Sequence, residues 1–313
     1  MKYFFKLILM AIFFFVTFSS NINSKPIPPG SGKGDVPANI LILLGDRFEI
    51  LAAASIAVIH RIPICHLHGG EETLGAIDNS IRHAITQLSS IHFVSHKRHK
   101  SKVIKMGAET KNVHYVGALG LNSIKKNNKI KKSKIEKLIN NKLNSKRLIV
   151  TYHPVTLVKN SNKDIIELLN AIKYFNFVTF LFTAPNMDTN HNHIINKILK
   201  FVKSNKNSYF VKSLGKDLYI KTLKNFDGIV GNSSSGIIEV STFKKGTVNI
   251  GKRQEGRIQP KSVINCKPLK KDIILSIKKL LSSKFKKKLK KIKNPYYMKG
   301  TEDRILSIIK KFI

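Results

Sequence analysis

The sequence predicts an α/β fold built from two doubly wound units, and three observations carry that expectation. Short, uninterrupted apolar runs such as Ile40 to Leu44 fit strands that are buried on both faces of a parallel sheet. These runs alternate with longer segments of helical character, the order that produces parallel sheets covered by helices. The alternation occurs twice, in two series separated by the polar stretch from Asn122 to Ser145.

The chain opens with a short basic stretch, Met1 to Lys6, then the apolar run Leu7 to Phe18 and the small polar residues Ser19 to Ser24, the outline of a secretory signal. The Pro- and Gly-rich stretch from Lys25 to Ala38 cannot form a regular element and reads as a linker, so residues 1–38 stand apart. A first Rossmann-like domain is expected over 39–144. Its strands are Ile40 to Leu44, Ile62 to Leu67, Ile91 to Ser95 and His114 to Val116, with helices at Phe48 to His60, Ser80 to Leu88 and His99 to Met106. A second is expected over 145–293, with strands Arg147 to Thr151, Phe177 to Thr183, Ile229 to Val230 and Thr247 to Ile250 and a helix at Lys163 to Tyr174. Residues 294–313 read as a C-terminal helix.

Composition narrows the function classes. A chain of 313 residues, 42% hydrophobic and 24% charged, has the usage of a globular protein. Two cysteines, Cys65 and Cys266, exclude a disulfide scaffold and any zinc site built on cysteine pairs. Lys and Arg number 56 against 18 Asp and Glu, a formal charge of +38, which favours anionic ligands. Lysine is spread through nearly every segment, and neither interleaved aromatics nor a nucleic-acid module accompanies it, so nucleic acid is not an expected partner. The densest run, Lys284 to Lys293, reads as the flank of a helix.

In open α/β sheets ligands bind beyond the carboxyl ends of strands. Five polar or Gly-rich sets stand there: Gly45-Asp46-Arg47, His66-Leu67-His68-Gly69-Gly70-Glu71, His153-Pro154-Val155-Thr156, Asn186-Met187-Asp188 and Gly231-Asn232-Ser233-Ser234-Ser235-Gly236. Together they point to one cleft, with Asn186 and Asp188 among its binding residues. The last set, opening a helix, offers backbone N–H groups and hydroxyls to an anion, which makes Ser233 and Ser234 pyrophosphate donors. Glu239, one to two turns into that helix, can accept from ribose hydroxyls, and Arg253 and Arg257 after the next strand can pair with phosphate or stack on a base. No metal-ligand constellation emerges, and no cofactor is expected.

These strings, with Ala76-Ile77-Asp78-Asn79-Ser80-Ile81-Arg82-His83-Ala84-Ile85-Thr86, resemble the hydrolysing UDP-N-acetylglucosamine 2-epimerases of sialic-acid synthesis. The resemblance runs from about Ile40 to the C-terminus, including Asn294-Pro295-Tyr296 and Arg304-Ile305. It implies a GT-B architecture of two Rossmann-like domains, a UDP-sugar substrate, and conversion of UDP-N-acetylglucosamine to UDP and N-acetylmannosamine; relatives act on other 2-acetamido sugar nucleotides. It implies that Asp46 and Asp78 are an acid/base pair, that Glu71 is a third catalytic candidate, and that His153 faces the leaving phosphate. His68 stands where some members carry a glutamate, so His68 or Glu71 takes that role. Arg82 is expected to hold Asp78 ionised and Arg47 to serve its own loop.

The departure from the family is at the front, where a complete member carries further strands and a Gly-Thr-Arg-type loop. The first domain is therefore expected to be truncated, with an exposed edge strand at Ile40 to Leu44. A homo-oligomer in the cytoplasm is expected, with membrane tethering through Leu7 to Phe18 as the alternative. A GT-B glycosyltransferase and a UDP-binding protein without catalysis are the competing functions.

Overall fold

The computed structural model describes residues 40–126, 130–155, 161–186 and 191–312. The signal-like segment and the linker lie outside the described residues. Two compact units emerge: one comprises 40–71, Asp78–Leu119 and 298–312, the other Glu72–Ile77 and Gly120–Tyr297.

The first unit is a four-stranded parallel sheet in the order β1 (Leu41–Leu44), β2 (Ile64–Leu67), β3 (Ile91–Val94), β4 (Val113–Tyr115). Every residue of β2 and β3 is buried, as expected of central parallel strands, whereas β1 is an edge strand and only Leu43 of its four residues is fully buried. Helix α1 (Phe48–Ile59) turns Ala54 and Ala57 onto Leu43, Ile64 and Ile85, its small residues letting it pack closely on the sheet. Its apolar character continues around the helix, so Phe48, Ile56, Val58 and Ile59 are exposed, Ile59 at 78%. Helices α2 (Asp78–Gln87) and α3 (Lys97–Lys105) follow β2 and β3. The other face of the sheet, Cys65, Leu67, Ile91 and Phe93, is covered by Ile305 and Ile309 of the last helix in the chain, α12 (Thr301–Phe312). Residues 294–313, expected as a separate helix, thus end inside the first unit. Burial pushes the Cys65 thiol up to about 12, as suits a core residue.

After α4 (Leu121–Lys126), the polar stretch contains helix α5 (Lys132–Ile139), whose Ile135 joins Leu143, Ile149 and Leu181 in a core of the second unit. That packing moves the division between units to Gly120, ahead of the expected 145. The second sheet has six parallel strands in the order β10-β9-β8-β5-β6-β7. They are β5 (Lys146–Thr151), β6 (Val178–Thr183), β7 (Ser208–Val211), β8 (Gly228–Gly231), β9 (Gly246–Ile250) and β10 (Val263–Cys266). The first strand lies in the middle and the order reverses between β5 and β8, which is the arrangement of a Rossmann domain and the place where such domains bind ligands. One face packs on α6 (Ser161–Ile172), α7 (His191–Ser204) and α10 (Lys270–Leu281) through residues such as Ile165, Ile198 and Ile277. The other meets α8 (Gly215–Asn225) through Leu223. In the lysine run, α11 (Ser283–Leu289) buries Phe285 and Leu289, the helix flank expected of it.

Candidate functional site

The functional groups of the first unit stand at the carboxyl ends of β1, β2 and β3. Gly45 (φ +88°) turns the chain out of β1 and delivers Asp46. The turn is held by His66 of β2, whose Nε2–H donates to the Gly45 carbonyl at 2.8 Å while its Nδ1 accepts from the Thr86 hydroxyl at 3.1 Å. Burial pulls His66 down to about 4, so it is a neutral structural group.

Arg82, only 1% exposed, organises this end of the unit. Its Nη2 forms an ion pair with Asp46 Oδ2 and its Nη1 donates to the Glu71 carbonyl at 2.9 Å. Asp78 and Arg82 stand one turn apart on α2, and the long Arg82 side chain reaches the end of β1. Arg47 pairs with Glu49 at 3.4 Å and lies over the Phe48 ring. Asp78 opens α2, where the helix dipole favours a carboxylate.

Glu71 is 2% exposed, and its Oε1 accepts from His68 Nδ1 at 2.7 Å and from the Ser95 hydroxyl at 2.6 Å. Ser95 in turn meets His99 Nδ1 at 3.1 Å. The other ring nitrogen of His68, Nε2, accepts from the backbone N–H of Leu119 at 3.3 Å. His68 holds a left-handed backbone (φ 67°), unusual for a non-glycine residue, and its side chain is more open than that of Glu71. Of the two residues expected to compete for one role, Glu71 thus lies behind and His68 in front. Ser95 and His99 were not among the sequence candidates, although Ser95 follows β3 directly, so the strand-end rule applied to every strand finds it.

The second set lies at the switch point between β5 and β8. Gly231 (φ +140°) sits against Thr151, and a Cβ there would fall 1.9 Å from the Thr151 carbonyl oxygen. Asn232, fully buried, binds the backbone of His153 from both sides: it accepts from the His153 N–H at 2.7 Å and donates to its carbonyl at 2.9 Å. His153 Nδ1 accepts from the Asn186 N–H at 3.0 Å, which in the neutral ring leaves the proton on Nε2. Ser233 and Ser234 follow, half-buried.

Helix α9 (Ser235–Ile238) is a single turn followed by a 3-10 segment at Val240–Phe243, shorter than expected, and Glu239 caps it instead of lying further along a helix. Burial, and to a lesser extent the charge of Glu239, raises the Tyr219 phenol, and Tyr219 bonds to Ser235. Arg253 is buried and reaches the Asn232 carbonyl at 3.4 Å, beside Gln254 on the same oxygen at 2.8 Å. Arg257 donates to Thr73 at 3.1 Å. The structure brings together Ser233, Ser234, Asn232 and His153; Asp188 and Thr156 lie outside the described residues. Among the described residues, no three His, Cys, Asp or Glu side chains could hold a metal ion.

The profile of the UDP-N-acetylglucosamine 2-epimerase family matches residues 35–310. The chain is 41% identical over 256 residues to a GDP/UDP-N,N'-diacetylbacillosamine 2-epimerase (hydrolyzing) of Campylobacter jejuni, covering 80% of this chain and 66% of the relative. It is 38% identical to polysialic acid biosynthesis protein P7 of Escherichia coli, covering 87% of this chain and 70% of that protein, and 26% identical to a UDP-N-acetylglucosamine 2-epimerase of Neisseria meningitidis, covering 85% and 72%. The chain therefore spans about two thirds of the length of the curated relatives it matches. In fold it is similar to the Neisseria meningitidis UDP-GlcNAc 2-epimerase bound to UDP-GlcNAc, with a TM-score of 0.70 at 18% identity over 87% of this chain and 76% of that one. It is likewise similar to S. aureus MnaA with UDP, with a TM-score of 0.72 at 17% identity over 87% and 74%. The fold is the GT-B type with two Rossmann-like domains, and the chain belongs to the UDP-N-acetylglucosamine 2-epimerase family.

Proposed function

We propose that this protein is a hydrolysing 2-epimerase that converts a UDP-linked 2-acetamido sugar to UDP and the free 2-epimer. The observation that carries the reading is the acid–base group of the first unit, Asp46 on the buried Arg82 guanidinium beside the His68–Glu71 pair. Hydrolysis of a phosphate ester alone needs no such set at the sugar, whereas moving a carbon-bound proton does.

The hydrogen on sugar C2 is not acidic until UDP begins to leave C1 and an oxocarbenium-like centre forms. A base then removes the C2 proton, giving a glycal; water adds at C1 and an acid protonates C2 from the opposite face. In this reading the second unit binds UDP through Ser233 and Ser234, with Arg253, Arg257, Asn186, Asp188 and Glu239 as further binding candidates. His153 Nε2–H offsets charge on the departing phosphate. Asp46 and Asp78 move the protons, and Arg82 holds the Asp46 carboxylate in its charged form. His68 presents an imidazole as the third acid–base group, with Glu71 behind it.

UDP-N-acetylglucosamine, yielding N-acetylmannosamine, is the simplest substrate of this class. A 2,4-diacetamido sugar nucleotide is the second reading, favoured by 41% identity to the diacetylbacillosamine enzyme against 26% to the UDP-N-acetylglucosamine enzyme. Incubation with each UDP-sugar in heavy water tests both. UDP release with deuterium at C2 of the free sugar is expected; product lacking deuterium at C2 rules out elimination and re-addition.

A further inference from the structure

The chain of contacts behind His68 has an end that the proposed reaction does not use. An ionised carboxylate is only an acceptor, so at Glu71 Oε1 both His68 Nδ1 and Ser95 Oγ must donate. With its proton committed to Glu71, the Ser95 hydroxyl can only accept from His99, whose Nδ1 therefore carries hydrogen. At the far side of His68, the Leu119 N–H can only donate, so Nε2 keeps its lone pair. Two independent contacts thus select the same tautomer of His68.

We propose that Ser95 and His99 are positioning residues for the epimerase reaction: they fix the Glu71 carboxylate, which fixes His68 with hydrogen on Nδ1 and the lone pair on Nε2. This rests on the functional reading above and adds a direction to it. The acid–base atom offered at this position is then an imidazole nitrogen, with a buried carboxylate oriented to stabilise the imidazolium that forms when Nε2 takes a proton. Burial makes the arrangement exacting. Ser95 is fully buried and His99 nearly so, and a hydroxyl or ring N–H left without its partner there cannot turn to water. His99 is further constrained by the His96 ring, edge-on at 5.8 Å.

The test combines kinetics with nitrogen-15 spectra of histidine-labelled full-length protein, the His68 signals being identified by their loss in His68→Gln. The wild type is expected to show His68 with hydrogen on Nδ1. Ser95→Ala and His99→Ala are expected to lower kcat by about tenfold or more, the loss of one hydrogen bond to a charged group, with KM and UDP affinity unchanged. In both, the His68 signals should move toward a mixture of tautomers. His99→Asn, whose amide N–H can stand where Nδ1–H stood, should restore most of the rate and the single tautomer. A wild-type His68 with hydrogen on Nε2 overturns the proposal without any variant, and so do alanine variants that leave both kcat and the His68 spectrum unchanged. Absence of turnover on UDP-sugars in the wild type would defeat the functional reading, while the spectra still decide the contact chain.

Discussion

At the scale of single residues, the acid–base group divides into side chains that act and side chains that hold. In the proposed reaction Asp46 and Asp78 belong to the first kind. Asp46→Asn or Asp78→Asn should lower turnover by about 10²–10⁴-fold with UDP affinity nearly unchanged, as steady-state kinetics and calorimetry will show. His66 belongs to the second kind, and its neutrality has a thermodynamic signature. Burial lowers both His66 and His92 from near 6.5 to about 4, and burial also lowers His96 and His114. Between those values the unfolded chain binds protons that the native protein refuses, so stability is full above pH 6.5 and falls as pH drops toward 4. For each such group the slope is at most about 1.4 kcal/mol per pH unit. Urea midpoints measured from pH 7 to 4 should therefore decline, and His66→Gln should flatten the decline.

At the scale of elements, the sequence legibly marks what is buried on both faces. The strands β2, β3, β5, β6 and β9 are buried along nearly their whole length, and each falls within a few residues of its expected place. What escaped is what depends on neighbours. Strand β7 reads Ser-Tyr-Phe-Val with one buried residue, and the lysine-rich α7, α8 and α10 hide their apolar stripes within a chain that is lysine-rich everywhere. The site shows the same division. Gly231 to Ser234 stand out as strand-end chemistry, yet nothing local marks Asn232 as the residue that grips His153, because its partner lies 79 positions away. Similarly, Arg82 is conspicuous on α2, but its pairing with Asp46 is a property of the folded sheet. Asn232→Ala should cost about 1–3 kcal/mol, leaving buried backbone groups unpaired, and should weaken UDP binding along with thermal stability. Calorimetric titration and melting curves on one sample would separate that outcome from a change confined to stability.

At the scale of the whole molecule, the formal charge of +38 bears on how an anionic sugar nucleotide, the substrate class proposed above, would arrive. The association rate for UDP should fall as ionic strength rises from about 0.01 M to 0.15 M, where the screening length shrinks from about 30 to 8 Å, with dissociation much less affected. Stopped-flow mixing across that range will measure it. Helix α12 carries a consequence of another sort, for the order in which the protein is made. The sheet face formed by Cys65, Leu67, Ile91 and Phe93 waits for Ile305 and Ile309, which leave the ribosome on the order of 200 residues later. At about 5–20 residues per second that is a delay of roughly ten seconds or more, during which the second unit has already emerged. The unit that begins the chain is thus the last to be completed in synthesis, and a nascent chain stopped at Tyr297 should show hydrogen-exchange protection in the six-stranded sheet and little in the four-stranded one.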